Sequence, residues 1–129
     1  MSESAEPEIN IPEIVAEVQA AFDRYEAGLN SNDVAVLNAT FRNAPYTIRY
    51  GIAENLYGYD EIAAFRSARI PPGGRTISRA VITTFGRDFA TASTLFQRGE
   101  NGRVGRQMQS WVRFAEGWRV VAAHVSWMS

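Results

Sequence analysis

Few side chains in this 129-residue chain could do chemistry. There is one histidine, His124, and no cysteine; all thirteen basic residues are arginine, so lysine is absent as well. Thiolate catalysis, sulfur metal sites and Schiff-base chemistry on lysine are therefore excluded. A nucleophilic triad has little support, because no G-x-S-x-G turn accompanies the lone histidine. No second histidine and no carboxylate pair at ligand spacing point to a metal, and no cofactor is implied. "GENGRVG" at 99–105 is glycine-rich but lies between strands, which makes it a loop and not a phosphate cradle.

What remains is arginine, tyrosine and amide chemistry. "YTIRYG" at 46–51 reads as a short strand with Thr47, Arg49 and Gly51 on one side and Tyr46, Ile48 and Tyr50 on the other. A guanidinium there is costly to bury unless an anion meets it. Arg49 is thus a surface charge, half of a structural ion pair, or the carboxylate anchor of a binding site. Tyr25 lies on an apolar helical stripe, where its phenol needs a partner; a core tyrosine bonded to a backbone carbonyl is the simpler role. Gln109 and Trp111 share one strand face and suit a small planar polar ligand, or an ordinary core almost as well. Asn55, Tyr57 and Arg66 are further polar candidates for substrate binding, each equally at home as a solvated turn or helix residue. His124 fits an interface or a catalytic role, and lone strand histidines are commonly just packed.

The elements that must hold these residues follow from periodicity. Asn10 with Glu13 makes a variant capping box, Ile9 and Ile14 form a staple, and Pro12 suits a first turn. The stripe Ile14, Val18, Phe22, Tyr25, Leu29 then defines one helical face, ending near Gly28–Asn30. A short second helix carries Val34, Leu37 and Phe41, and Pro45 closes it. After the "YTIRYG" strand a third helix starts near Asp60 with Ile62, Phe65 and Ala68 inward and Arg66 and Arg69 near its end. "PPGG" at 71–74 breaks it.

Four strands follow, "TISRAVITTF", "FATASTLFQR", "RVGRQMQSWVRF" and "WRVVAAHVSWM", joined by hairpin loops. The expected fold is α+β: a curved antiparallel sheet wrapped on three N-terminal helices, in the order ααβαββββ. A loop at 115–117 would pair Gln107 with Val125, Met108 with His124, Gln109 with Ala123, Ser110 with Ala122, Trp111 with Val121, Val112 with Val120 and Phe114 with Trp118. Both faces of that hairpin are substantially apolar. One meets the helices, and a second copy of the chain is the economical cover for the other.

Composition sets the bounds. Residues 46% apolar and 21% charged are those of an ordinary soluble globular domain. Residues 1–8 read as a disordered acidic tail and 9–129 as a single domain. A net charge of −1 gives no field for nucleic acid or an anionic membrane. No signal or membrane-spanning run is evident, so a cytoplasmic location is expected.

The order of elements, closing in "GWRVVAAHVS", resembles the cone-shaped fold of the nuclear-transport-factor-2-like (SnoaL-like, cystatin-like) superfamily. "AAFDRYEAGLNSNDVAVLNATF", "TIRYGIAENLYGYDEIAAFR", "ITTFGRDFATA" and "GRQMQSWVRFAEGWRVVAAHVS" together are similar to the AtzH-like family of HpxZ-like oxalurate-catabolism proteins, over residues 9–128. The resemblance implies a cofactor-free enzyme of ureide nitrogen catabolism, of a type that decarboxylates a dicarboxylated urea to allophanate. It implies activity on Tyr25 and Arg49, a pocket on the Gln109 and Trp111 face, and a homodimer through the outer sheet face with His124 on that side. The other reading is a non-catalytic dimeric module that binds oxalurate-like ureido-carboxylates or supports an amidase.

Overall fold

The computed structural model describes residues 6–100 and 102–129. Three helices, α1 (Pro12–Ser31), α2 (Val34–Thr40) and α3 (Tyr59–Ala68), pack on one six-stranded sheet. The strands are β1 (Ile48–Tyr50), β2 (Asn55–Tyr57), β3 (Thr76–Phe85), β4 (Phe89–Gln97), β5 (Gly105–Phe114) and β6 (Gly117–Trp127), in spatial order β2-β1-β6-β5-β4-β3. The expected α+β wrap is observed, with two additions. "NLY" forms β2, an antiparallel partner of β1, and β1 runs parallel to β6, so the sheet is mixed. Three residues are too short for any pattern to declare β2 from sequence.

The α1 stripe is buried as its spacing requires: Ile14, Val18, Phe22 and Tyr25 are all below 5% exposed, and Leu29 packs against them. Its start differs from the capping box. The N-cap is Ile11, with no side-chain cap. Asn10 adopts a left-handed conformation (φ 59°) and turns to β3 instead. Its backbone N–H donates to Thr84 O at 3.0 Å and its side-chain oxygen accepts from Thr84 N at 2.9 Å. Ile9 bridges Phe85, and Glu8 O accepts from Gly86 N. Glu8, assigned to the tail from sequence, is thus held at the end of β3, and residues 1–5 lie outside the described residues. Asp33 supplies the cap of α2 by accepting from Val36 N.

The β5–β6 register matches expectation from Gln107 to Ser110 and then slips. A bulge opposite Trp111 pairs that residue with Val120, not Val121; Val112 faces Arg119, and Phe114 faces Gly117 across a two-residue loop. The extra residue flips the phase of β6. Trp118 and Val120 turn inward before it, Ala123 and Val125 after it. On α3 Ile62 and Phe65 turn inward as expected, joined by Arg66, while Ala68 is exposed. Among the described residues no helix is long and apolar enough to cross a membrane.

Asn10 satisfies both backbone groups of Thr84's edge while tolerating a positive φ. Asn10→Ala should lower unfolding free energy by about 1–2 kcal/mol, from a lost hydrogen bond plus left-handed strain. Urea denaturation measures this, and an unchanged midpoint would refute it.

Candidate functional site

The curl of the sheet over α1 leaves a cavity of about 300 Å³, at the small end of the range for small-molecule sites. Its floor lies along one cross-strand row: Arg49 on β1 pairs with Ala123 on β6, and Ala123 with Gln109 on β5; the row continues into the core at Ala92 on β4. The small side chain of Ala123 beside the glutamine leaves space on the cavity side. Tyr25 reaches the same space from α1, and Leu29, Phe65 and Phe96 add apolar wall.

Arg49 is half of an ion pair and a cavity residue at once. Its Nη1 donates to Glu54 Oε2 at 2.9 Å, with the two side chains 13% and 22% exposed. Among the described residues its other N–H groups have no hydrogen-bond partner. Gly51, the last residue of "YTIRYG", makes room for this pair: a Cβ there would overlap the Glu54 carboxylate.

A second pair lies deeper. Glu26, directly after Tyr25 on α1, accepts from Arg75 Nε at 3.0 Å and Nη2 at 2.5 Å. Arg75 Nη2 also donates to Gln107 Oε1, and its backbone N–H to Asn30 Oδ1. The guanidinium stacks on Phe96, 4.5 Å from the ring centroid. Phe96 can lie there because its strand partner is Gly105, where any Cβ would overlap the ring.

Arg69 and Arg98 complete the lining cations. Burial and then the like charges of Arg66 and Arg49 lower the pKa of Arg69; burial and Arg75 do the same to Arg98. Arg66 stands behind the phenol, 4% exposed, with Nη2 3.5 Å from the Tyr25 hydroxyl. Four guanidiniums thus line the cavity and a fifth stands behind Tyr25; of the five, Arg49 pairs with Glu54 and Arg75 with Glu26. Among the residues that line the cavity, four arginines stand against one carboxylate, that of Glu54. Burial by itself would raise the Tyr25 pKa, but Arg66, Arg49 and Arg75 outweigh it and hold the phenol below its usual 10.

Two amides add donors. Trp111 Nε1 donates to Gln109 Oε1 at 3.1 Å, and Arg75 donates to Gln107 Oε1, which fixes both orientations. Each amide nitrogen is buried and without a partner, in a glutamine that lines the cavity. They suit a ligand oxygen.

The structure therefore brings Tyr25, Arg49 and Gln109 to one cavity. Trp111 is fully buried core that orients Gln109 from behind, and does not line the cavity. Arg66 lies behind Tyr25 and not on the wall. Asn55 and Tyr57 stand exposed on β2, away from the cavity; the Tyr57 hydroxyl meets that of Tyr50 at 3.0 Å. His124 is exposed on the outer face, opposite Met108 and edge-on to Tyr50, at the cavity rim.

Sequence reasoning missed Glu26, Glu54, Arg69, Arg75 and Arg98. Only Glu26 left a trace, four residues after Phe22 on the buried side of α1. The arginines lie in loops or at helix ends, where no period operates.

The sheet, three helices and internal cavity define a cone-shaped α+β fold of the nuclear-transport-factor-2-like, cystatin-like class, used by small-molecule enzymes and binding domains. Residues 7–129 match the AtzH-like family, and the chain belongs to it. It is similar to a protein of unknown function from the DUF3225 family of Pectobacterium atrosepticum, at 54% identity and TM-score 0.91 over 94% of this chain and 95% of that one. A cystatin-like fold protein from Burkholderia xenovorans is 50% identical, with TM-score 0.91 and coverages of 95% and 98%. A ketosteroid isomerase-like protein from Erwinia carotovora shares the fold at 19% identity and TM-score 0.71, over 92% and 99%. Among curated proteins none matches.

The Glu26–Arg75 pair is buried and joined by two hydrogen bonds, so removing one partner strands the other. Glu26→Ala should destabilise by about 3–5 kcal/mol. Thermal and denaturant unfolding would show it; a change under about 1 kcal/mol would mean that Arg75 relaxes to water.

Proposed function

We propose that this protein is a small-molecule enzyme of ureide nitrogen catabolism. Its reaction is the cofactor-free decarboxylation of an N-carboxylated urea, of the dicarboxyurea-to-allophanate type. The observation that carries the reading is the excess of buried guanidinium charge around one phenol. A dianionic, acceptor-rich ligand answers that excess, and family membership directs attention to ureido-carboxylates.

In this mechanism Arg49 holds a carboxylate with the N–H groups that Glu54 leaves free. Gln107 and Gln109 donate from the wall to substrate oxygen. The bond between nitrogen and the carboxylate carbon breaks, its electron pair passes to nitrogen, and carbon dioxide departs. Tyr25 delivers the proton that nitrogen needs, as a general acid, and recovers one from water. Sharing Arg49 with Glu54 tempers its grip, so the ground-state carboxylate is not held so tightly that loss of its charge is opposed.

Purified protein given fresh dicarboxyurea should release carbon dioxide and allophanate. Tyr25→Phe should fold normally and lose about 10²–10⁴-fold in kcat. Arg49→Leu should raise KM as well. Binding of oxalurate without any turnover would sink the catalytic reading in favour of an accessory binding module. Full activity in Tyr25→Phe would remove the phenol from the mechanism.

We also infer a homodimer through the outer sheet face. Val81, Ser93, Met108, His124 and Tyr50 form one cross-strand row there. No described element of the chain packs over it, and Val81 and Met108 remain 55% and 57% exposed. A second copy offers the same apolar and small side chains in return. Met108→Arg should convert a dimer to a monomer in sedimentation analysis; a monomeric parent protein would exclude the interface.

A further inference from the structure

Arg66 poses a problem that the catalytic reading leaves open. Its guanidinium is 4% exposed and cannot shed its charge, because arginine stays protonated at any working pH. Among the described residues it makes no ion pair with a carboxylate. Its Nε has no hydrogen-bond partner, and its single side-chain contact of that kind is Nη2 to the Tyr25 hydroxyl at 3.5 Å. Otherwise it faces the rings of Phe41 and Tyr25, at 4.7 and 5.8 Å from their centroids. A buried cation in such surroundings needs an anion. The one acidic group in contact is the phenol.

We propose that Arg66 is a positioning residue that holds Tyr25 as a phenolate in the empty cavity, and that an arriving carboxylate ligand drives a proton from solvent onto it. The proposal rests on Tyr25 being the proton donor, and explains how that donor is charged only when substrate is present.

The groups facing the phenol all push the same way until a ligand arrives. Arg66 comes from α3, Arg49 from β1 and Arg75 from the segment before β3. Arg69 and Arg98 stand further out. Glu26 and Glu54 offset Arg75 and Arg49, which leaves Arg66 as the uncompensated charge nearest the oxygen. A carboxylate placed on Arg49 adds negative charge beside the phenolate, and so favours the neutral phenol. Binding is then coupled to proton uptake, and affinity for the anion weakens as pH rises through the range in which the empty site is ionised. Tyr57 is moved the opposite way, its ionisation suppressed by the hydrogen bond to Tyr50, so the two signals separate.

The test follows the ultraviolet band of tyrosinate while the intact protein is titrated from mildly acidic to alkaline pH. A component ionising below the ordinary tyrosine range is expected, and Tyr25→Phe should remove it. Arg66→Met fills the space without charge and should fold; its Tyr25 component should move up toward 10, the unperturbed value. Arg66→Lys should restore part of the shift. Oxalurate should diminish the band, with proton uptake seen calorimetrically in two buffers of different ionisation enthalpy, and both effects should vanish in Arg66→Met. A Tyr25 component unmoved by Arg66→Met overturns the role of Arg66. A carboxylate that leaves the band unchanged at every concentration overturns the ligand-driven half. Absence of decarboxylation with these titrations intact would strike the proposed reaction and leave this inference standing.

Discussion

The cost of removing guanidinium groups from water governs this molecule. Arginine cannot neutralise itself when buried, so each one must find an anion, a ring face or a shared hydrogen bond. Arg75 finds all three in Glu26, Phe96 and Gln107. Arg49 finds Glu54, and Arg66 has the Phe41 ring and, as its one acidic neighbour, the phenol of Tyr25. The remaining positive charge accumulates around one cavity. In the proposed function this charge is an anion site already assembled before any ligand enters.

Much of the surrounding architecture serves those contacts. Gly51 and Gly105 give up side chains so that Glu54 and Phe96 can lie against arginines. Trp111, the largest fully buried side chain, spends its only polar atom on Gln109. The bulge opposite Trp111 lets β6 bury Trp118 and Val120 at one end and offer Ala123 to the cavity floor at the other. These residues touch no ligand in the proposed mechanism, yet they fix the directions of those that do.

The fold class was legible because it rests on periodicity. Five residues at helical spacing fixed the buried face of α1, and alternation along β5 placed Gln107, Gln109 and Trp111 together. Family resemblance then joined Tyr25 to Arg49. Misreadings arose where a residue answers to a distant partner. Asn10 had the chemistry of a helix cap, but Thr84 supplied a better use for it. Arg66 looked like a solvated helix-end charge, because nothing in its neighbourhood along the chain says that Phe41 and Tyr25 will close around it. Trp111 looked like a ligand platform, because burial depth is invisible to a strand pattern.

By itself the sequence determined the elements, the inward faces of α1 and β5, the lack of thiol and lysine chemistry, and the presence of a cation in an apolar strand. Local spacing decides such features, since helix and strand periods act within a few residues. Only the tertiary structure decided which cations share a cavity, which of them are already neutralised, and which carboxylates do it. Glu26 and Arg75 are forty-nine residues apart, and Tyr25 and Arg66 forty-one. Electrostatic pairing depends on distance through space, and the curl of the sheet over α1 sets that distance.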